Sequence, residues 1–140
     1  MGIYARTDEI IDFVRDIKEN WGNDPFNIAE RLGIRVIIRN GGRPGGNIVS
    51  IPSYFTIISI LGNVSDAARK VLCAHELGHA MLHQCSSINY FNVSTRQQDM
   101  TEYEANLFAV SLLFNEEEFD RPLSEMPNSL LRMILDYNIK

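Results

Sequence analysis

The residues with the clearest chemical meaning in this 140-residue chain form an H-E-x-x-H motif from His75 to His79. In an α-helix, positions four residues apart lie on one face, about 6 Å apart along the axis. Two imidazoles in that relation can bind one zinc ion at about 2.0–2.1 Å. Glu76 follows the first histidine, so its carboxylate can lie beside the metal and take a proton from a water that the metal polarises. The motif therefore indicates metal-dependent hydrolysis, with Glu76 as the general base.

A third ligand is needed, because catalytic zinc sites usually have three protein ligands and one open position. Glu102 and Asn106 are four residues apart and share a helical face, whereas Glu104 lies about 200° around the helix from Glu102. Thr101 and Glu104 also fit a capping box at a helix start, and Asp99 with Glu102 fits an alternative box. We favour Glu102 as the ligand, with Asn106 orienting a ligand histidine, and Glu104 remains the alternative.

Other polar residues near the motif have simpler interpretations. His83 continues the four-residue series but lies about 12 Å along the axis from His75, too far for one ion to bind all three histidines. We expect His83 to cap the end of the helix, where a donor or cation is favoured. Cys73 lies on the opposite helix face and is expected to be a buried thiol, whereas Cys85 is expected to be a free thiol near the helix end. Four residues could supply an oxyanion-stabilising donor: Tyr54, Tyr90, Arg96 and Tyr103.

The elements that must position these residues follow from hydrophobic periodicity. Helices are predicted over residues 7–20, 25–33, 66–84, 101–114 and 128–136, and strands over residues 34–39, 47–51 and 54–61. Thr7 or Asp8 is the expected N-cap of the first helix, and Ser65 of the motif-bearing helix. Residues 40–47 are a glycine-rich loop, Pro52 favours a sheet edge, and residues 85–98 are expected to be irregular. This order predicts an α+β domain in which a short β-sheet packs against the motif-bearing helix.

Composition excludes several classes of protein. The chain has 13 Lys and Arg against 18 Asp and Glu, a formal charge of −5, which argues against direct nucleic-acid binding. The sequence lacks an apolar run long enough to span a bilayer, and its two cysteines do not indicate a disulfide scaffold. We expect no signal peptide, because the first residues contain no apolar segment of the kind that such peptides have. We expect one cytoplasmic domain over residues 1–140, without membrane contact, and the oligomeric state is left open.

Two motifs together resemble the ImmA/IrrE-type metallopeptidases, a family of H-E-x-x-H zincins. His75-Glu-Leu-Gly-His-Ala-Met-Leu-His83 is followed by Glu102-Tyr-Glu-Ala-Asn-Leu-Phe-Ala-Val-Ser-Leu-Leu113, which is similar to the family pattern E-x-x-A-N-x-F-A-x-x-L-L. The resemblance covers about residues 25–120, after an N-terminal helix in residues 1–24. It implies a small zincin-like domain with Zn²⁺ bound by His75, His79 and Glu102, and with Glu76 as the general base.

The resemblance also implies a biological role. Known members act inside bacteria and their mobile genetic elements, where they cleave or inactivate helix-turn-helix repressors and so derepress transcription. The sequence therefore predicts a zinc-dependent endopeptidase whose substrate is a cytosolic protein, a repressor being the expected partner. One alternative is an antirepressor or sensor that uses zinc for stability and binds its partner without cutting it, and another is a helical domain with a chance motif. A site of two histidines and one glutamate can also hold iron, manganese, cobalt or nickel.

Overall fold

The computed structural model describes residues 6–40, 46–51, 55–83 and 95–139. These residues form five α-helices: α1 (Thr7–Trp21), α2 (Pro25–Arg31), α3 (Asp66–Leu82), α4 (Thr95–Leu113) and α5 (Asn128–Ile139). They also form three strands, β1 (Arg35–Arg39), β2 (Gly46–Ile51) and β3 (Phe55–Leu61), and two single-turn 3₁₀ helices, Glu116–Glu118 and Leu123–Glu125. The predicted α+β class is confirmed. Pro52 and most of the glycine-rich and 85–98 loops lie outside the described residues.

The sheet built from the described strands has the order β1-β3-β2, with β3 in the centre. β1 pairs with β3 in parallel, and β2 pairs with β3 in antiparallel orientation. Ile58 and Ile60 lie on one face of β3 and are fully buried, as expected for alternating β-branched residues on a half-buried strand. β2 is an edge of this sheet and packs against α3. Among the described strands, β2 therefore places an edge of the sheet next to the motif-bearing helix.

Helix α3 begins as predicted. The Ser65 Oγ accepts a hydrogen bond from the backbone N–H of Ala68 at 3.1 Å, which satisfies one of the free N–H groups of the first turn. Along this helix, Gly78 faces α4. A Cβ atom at Gly78 would lie only 3.1 Å from the Cβ of Phe108 and 3.2 Å from the Cα of Ala105. The glycine therefore allows the two helices to approach closely, which places their polar side chains within reach of each other.

Helix α4 begins at Thr95, not near residue 101. Both predicted capping boxes are therefore wrong, because Asp99 and Thr101 lie inside a continuous helix whose N–H groups are bonded to its own preceding turn. The segment from Thr95 to Thr101 contains neither glycine nor proline, so nothing in it prevents the helix from extending. Glu102 and Glu104 thus project from the middle of a helix of 19 residues, where tertiary contacts fix their positions.

Helix α1 packs against α4 and is held to it at both ends. The predicted N-cap at Thr7 or Asp8 is wrong, because the N-cap residue is Arg6. The Thr7 Oγ1 instead shares a hydrogen bond of 3.0 Å with the hydroxyl of Tyr103. At the other end, the Lys18 ammonium donates to the carbonyl of Ser111 at 2.9 Å, near the C-terminus of α4 where a cation is favourable. These contacts fix the start of α1 beside the middle of α4.

Within the described part of the chain, the helices are all too short or too polar to cross a membrane.

Candidate metal centre

Three potential metal ligands converge between α3 and α4. His75 and His79, one turn apart on α3, direct their Nε2 atoms towards the carboxylate of Glu102 on α4. The Nε2 of His75 lies 3.2 Å from one carboxylate oxygen, and the Nε2 of His79 lies 2.7 Å from the other. Among the described residues these three side chains form a group whose potential ligand atoms all lie within 4.8 Å of one another. The two helices thus bring together the three residues that the sequence favours as ligands.

The donor set suits a catalytic metal. Two imidazole nitrogens and one carboxylate oxygen make a three-ligand set of the kind found in zinc hydrolases, where a fourth position is left for water or substrate. The Glu102 side chain is 37% exposed and that of His75 is 20% exposed, so a substrate can reach the centre. The same donors also accept iron, manganese, cobalt or nickel. The three residues therefore fit zinc or a divalent metal ion of the first transition row.

The electrostatics of this group favour the ionised carboxylate. Burial by itself would raise the pKa of Glu102, but hydrogen bonds from His75 and His79, together with their charges, outweigh it and hold the pKa well below its usual value. Burial would likewise lower the pKa of His75, yet the hydrogen bond to Glu102 and the negative charges of Glu76 and Glu102 raise it above its usual value. The ionised carboxylate of Glu102 thus faces the imidazole nitrogens at the place where a cation would be bound.

Glu76 lies beside the three potential ligands but is not one of them. It is only 8% exposed, and burial raises the pKa of its carboxyl above the usual range, against the opposing effect of the charges of His75 and His79. A carboxylate whose pKa is raised is a stronger base, which is the property that general-base catalysis needs. The position of Glu76 beside the cluster therefore suits proton transfer to and from a water at the centre.

Asn106 holds one of the two histidines. Its side chain is hydrogen-bonded to that of His75, and its Nδ2 donates to the Oδ1 of Asn128 at 2.8 Å. Since the amide nitrogen is engaged with Asn128, the amide oxygen is the atom left to accept a proton from His75. The sequence indicated an orienting role for Asn106 from its helical face, but gave no signal for Asn128, which is the first residue of α5.

His83 lies at the C-cap of α3, where its backbone N–H donates to the carbonyl of His79 at 2.9 Å. The prediction that it caps the helix is confirmed for the backbone, but its side chain has different partners. The His83 Nδ1 lies 3.2 Å from the Nδ1 of His79, and its Nε2 lies 2.8 Å from the Oε1 of Glu104. Arg6 donates to the same Glu104 oxygen at 3.3 Å. Sequence reasoning missed these contacts of the His83 side chain, although the four-residue spacing of the three histidines could have indicated the contact between His79 and His83.

The remaining candidates take no part in this cluster. Cys73 is fully buried, as predicted, and burial raises the pKa of its thiol to about 12. Tyr103 is 3% exposed and bonded to Thr7 on the side of α1, so it is a poor oxyanion donor. The other candidates lie outside the residues, or the side chains, that the structure describes: Tyr54, Cys85, Tyr90 and Arg96.

The fold and the centre together define a small zincin-like domain, in which the H-E-x-x-H helix receives a glutamate from the following helix. The model of the IrrE N-terminal-like domain, peptidase family M78, matches residues 29–134. The match covers more than half of the chain, and the chain therefore belongs to this family of metallopeptidases. A metallopeptidase family implies a metal, and His75, His79 and Glu102 form a group that could hold it.

A relative from Bacillus phage phi105, "Uncharacterized immunity region protein 2", is 34% identical over 100 residues. The match covers 71% of this chain and 63% of the phage protein. The chain thus spans less than two thirds of the length of that relative.

Proposed function

We propose that this protein is a zinc-dependent endopeptidase that binds Zn²⁺ through His75, His79 and Glu102 and cuts a cytosolic transcriptional repressor of the helix-turn-helix class. The observation that carries the proposal is the convergence of the three ligand atoms within 4.8 Å, with Glu76 beside them. Membership of a metallopeptidase family supports the reaction. The name of the phage relative places that protein in an immunity region, which supports a regulatory substrate and an origin in a mobile genetic element.

The proposed reaction assigns a task to each residue. When bound, zinc would supply Lewis acidity, the chemistry that polarises a scissile carbonyl and makes a water easier to deprotonate. His75, His79 and Glu102 hold the ion, and Asn106 keeps the His75 ring in place. The Glu76 carboxylate takes a proton from the attacking water and delivers it to the leaving amine. The open edge of β2, next to α3, offers main-chain groups along which an extended substrate can lie.

Glu76→Gln is the variant that tests this proposal most directly. Glutamine has nearly the same volume but cannot accept the proton, so we expect cleavage to slow by about 10²–10⁴-fold. Zinc content should stay near one equivalent, because Glu76 is not a ligand. The assay mixes purified protein with the helix-turn-helix repressor from the same genetic element and follows fragments by gel and mass spectrometry. Glu30→Gln, at an exposed position of α2, is the matched control and should cleave like the wild type.

Three results would contradict the proposal. Wild-type protein that binds no metal removes the basis of the site. Cleavage by Glu76→Gln at the wild-type rate removes the assigned base. A repressor that loses DNA binding but stays at full length, with Glu76→Gln equally effective, would instead identify a protein that binds its partner without cutting it. Chelation followed by addition of zinc should abolish and then restore cleavage.

A further inference from the structure

His79 is held on both sides of its ring. Its Nε2 lies 2.7 Å from Glu102, on the side of the proposed metal, and its Nδ1 lies 3.2 Å from the Nδ1 of His83. The two rings are adjacent, with centroids 5.2 Å apart. His83 is therefore the residue that decides what the second nitrogen of His79 can do. The proposed function leaves His83 without a task.

The contact continues from His83 into the protein. The Nε2 of His83 lies 2.8 Å from the Oε1 of Glu104, and the Arg6 guanidinium donates to the same oxygen at 3.3 Å. The Glu104 side chain is 3% exposed, while that of Arg6 is 47% exposed. A chain of four side chains thus runs from the proposed metal ligand through the interior to the residue that precedes α1.

The proton positions in this chain follow from the chemistry of metal binding. A histidine nitrogen that binds a metal carries no proton, so a neutral His79 that binds through Nε2 carries its proton on Nδ1. That N–H can donate to His83 only if the Nδ1 of His83 is bare. A neutral His83 then has its proton on Nε2, where the Glu104 oxygen accepts it. Each nitrogen of the two rings is used once, and the hydrogen bonds that the two rings donate both point from the metal side towards Glu104.

Stability does not explain why Glu104 is buried here. Its second oxygen, Oε2, is buried without a hydrogen-bond partner among the described residues, and an unsatisfied buried oxygen lowers stability. The ion pair of Glu104 with Arg6, whose side chain is 47% exposed, is also weak evidence for a gain in stability. A carboxylate in such a costly position is better explained by what it does to His83.

We propose that Glu104, acting through His83, fixes the tautomer and ring orientation of His79, so that the Nε2 of His79 is presented bare to the metal. His83 and Glu104 are then positioning residues for the centre, and neither is a ligand. This inference rests on the proposed metal site and deepens it. The two ligand histidines differ in this respect, because His75 is oriented by the amide of Asn106, whereas His79 is oriented by an imidazole backed by a carboxylate.

Two isosteric variants of His83 separate its two contacts. His83→Asn keeps an acceptor oxygen where the Nδ1 stands, facing His79, but cannot reach Glu104. His83→Gln keeps a donor where the Nε2 stands, facing Glu104, but offers His79 no acceptor. We expect His83→Gln to weaken the zinc affinity by about 10–100-fold, the usual effect of removing a partner of a ligand histidine, and His83→Asn to weaken it less. The affinity is measured by competition with a chelator, on protein shown by circular dichroism to be folded.

A direct readout of the tautomers uses the wild-type protein. In the zinc-loaded state, long-range ¹H–¹⁵N correlation spectra should show His79 with its proton on Nδ1 and a neutral His83 with its proton on Nε2. A proton on the Nδ1 of His83 overturns the inference, even if the variants fail to fold. Equal zinc affinities of wild type and His83→Gln, or equal losses in the two variants, overturn it as well. Wild-type protein that binds no zinc would defeat the proposed function too, whereas wild-type binding with an unaffected His83→Gln defeats this inference alone.

Discussion

Glu102 and Glu104 lie two residues apart on α4, yet they contact different histidines near the C-terminal end of α3. The Glu102 side chain is 37% exposed and meets the Nε2 atoms of His75 and His79. The Glu104 side chain is 3% exposed and meets the Nε2 of His83, with Arg6 on the same oxygen. Both carboxylates accept from imidazoles of α3, but only one of the two can be reached by a substrate.

The difference shows how one pair of helices can build both a reactive centre and its support. Successive residues of a helix turn by about 100°, so carboxylates two positions apart face nearly opposite directions. The accessible carboxylate can share an ion with a substrate, whereas the buried one can only hold other side chains in place. Exposure, and not residue type, therefore separates the two roles.

The largest effect is expected when each carboxylate is removed in turn. Glu102→Ala deletes a proposed ligand, so the zinc affinity should fall by more than about 100-fold, beyond the range seen for partners of ligands. Glu104→Ala should keep one equivalent of zinc at saturation and lose about 10-fold in affinity. Metal content and chelator competition measure both. If Glu104→Ala loses the metal and Glu102→Ala keeps it, the two assignments are exchanged and the comparison is wrong.

A smaller effect is expected from a substitution that pushes α4, and with it both carboxylates, away from α3. Gly78→Val would place side-chain atoms where a Cβ alone already lies 3.1 Å from Phe108 and 3.2 Å from Ala105. Overpacking of this kind should lower the free energy of unfolding by about 1–3 kcal/mol, and zinc affinity should fall because the ligands on the two helices separate.

The matched control for that variant is Ala67→Val, at an exposed position of the same helix. It changes the helix propensity by about 0.5 kcal/mol without touching α4. Denaturant unfolding of the metal-free proteins gives both values. A Gly78→Val protein as stable as Ala67→Val would show that the helix packing does not depend on the glycine.

The smallest effect is expected in the pH dependence of the metal-free protein. The lowered pKa of Glu102 means that this carboxylate adds stability above its unfolded pKa of about 4.3, and the contribution is lost as the pH falls below that value. The raised pKa of His75 adds stability that is complete below about pH 6.5 and is lost as the pH rises through its folded pKa. The pair should therefore stabilise the protein most in the mildly acidic range.

Glu102→Gln removes the charge that links these two titrations. The variant should have a flatter profile of unfolding free energy against pH than the wild type, on both the acidic and the alkaline side. Unfolding in denaturant, in the presence of a chelator from pH 3.5 to 9, measures the profile. Parallel profiles for wild type and variant would show that Glu102 is not coupled to the histidines.

Much of the fold was predictable from local patterns. The Ser65 cap, the strands around the glycine-rich loop and the helical character of the motif-bearing segment depend on nearest neighbours along the chain, and local physics determines them. The start of α4 and the N-cap of α1 were not predictable in the same way. Thr101 has the side chain of an N-cap, but the residues before it are compatible with a helix, so α4 begins earlier. Thr7, the expected N-cap of α1, instead bonds with Tyr103 across the interface between α1 and α4.

The sequence by itself determined which residues share a helical face. The four-residue spacings of His75 with His79 and of Glu102 with Asn106 are properties of a helix, so the convergence of these side chains could be anticipated once two helices were assumed to pack together. Only the tertiary structure decided which further groups contact these side chains. Arg6, His83, Glu104 and Asn128 come from different elements, and their contacts depend on the distance between packed helices, which Gly78 sets and which no local pattern contains.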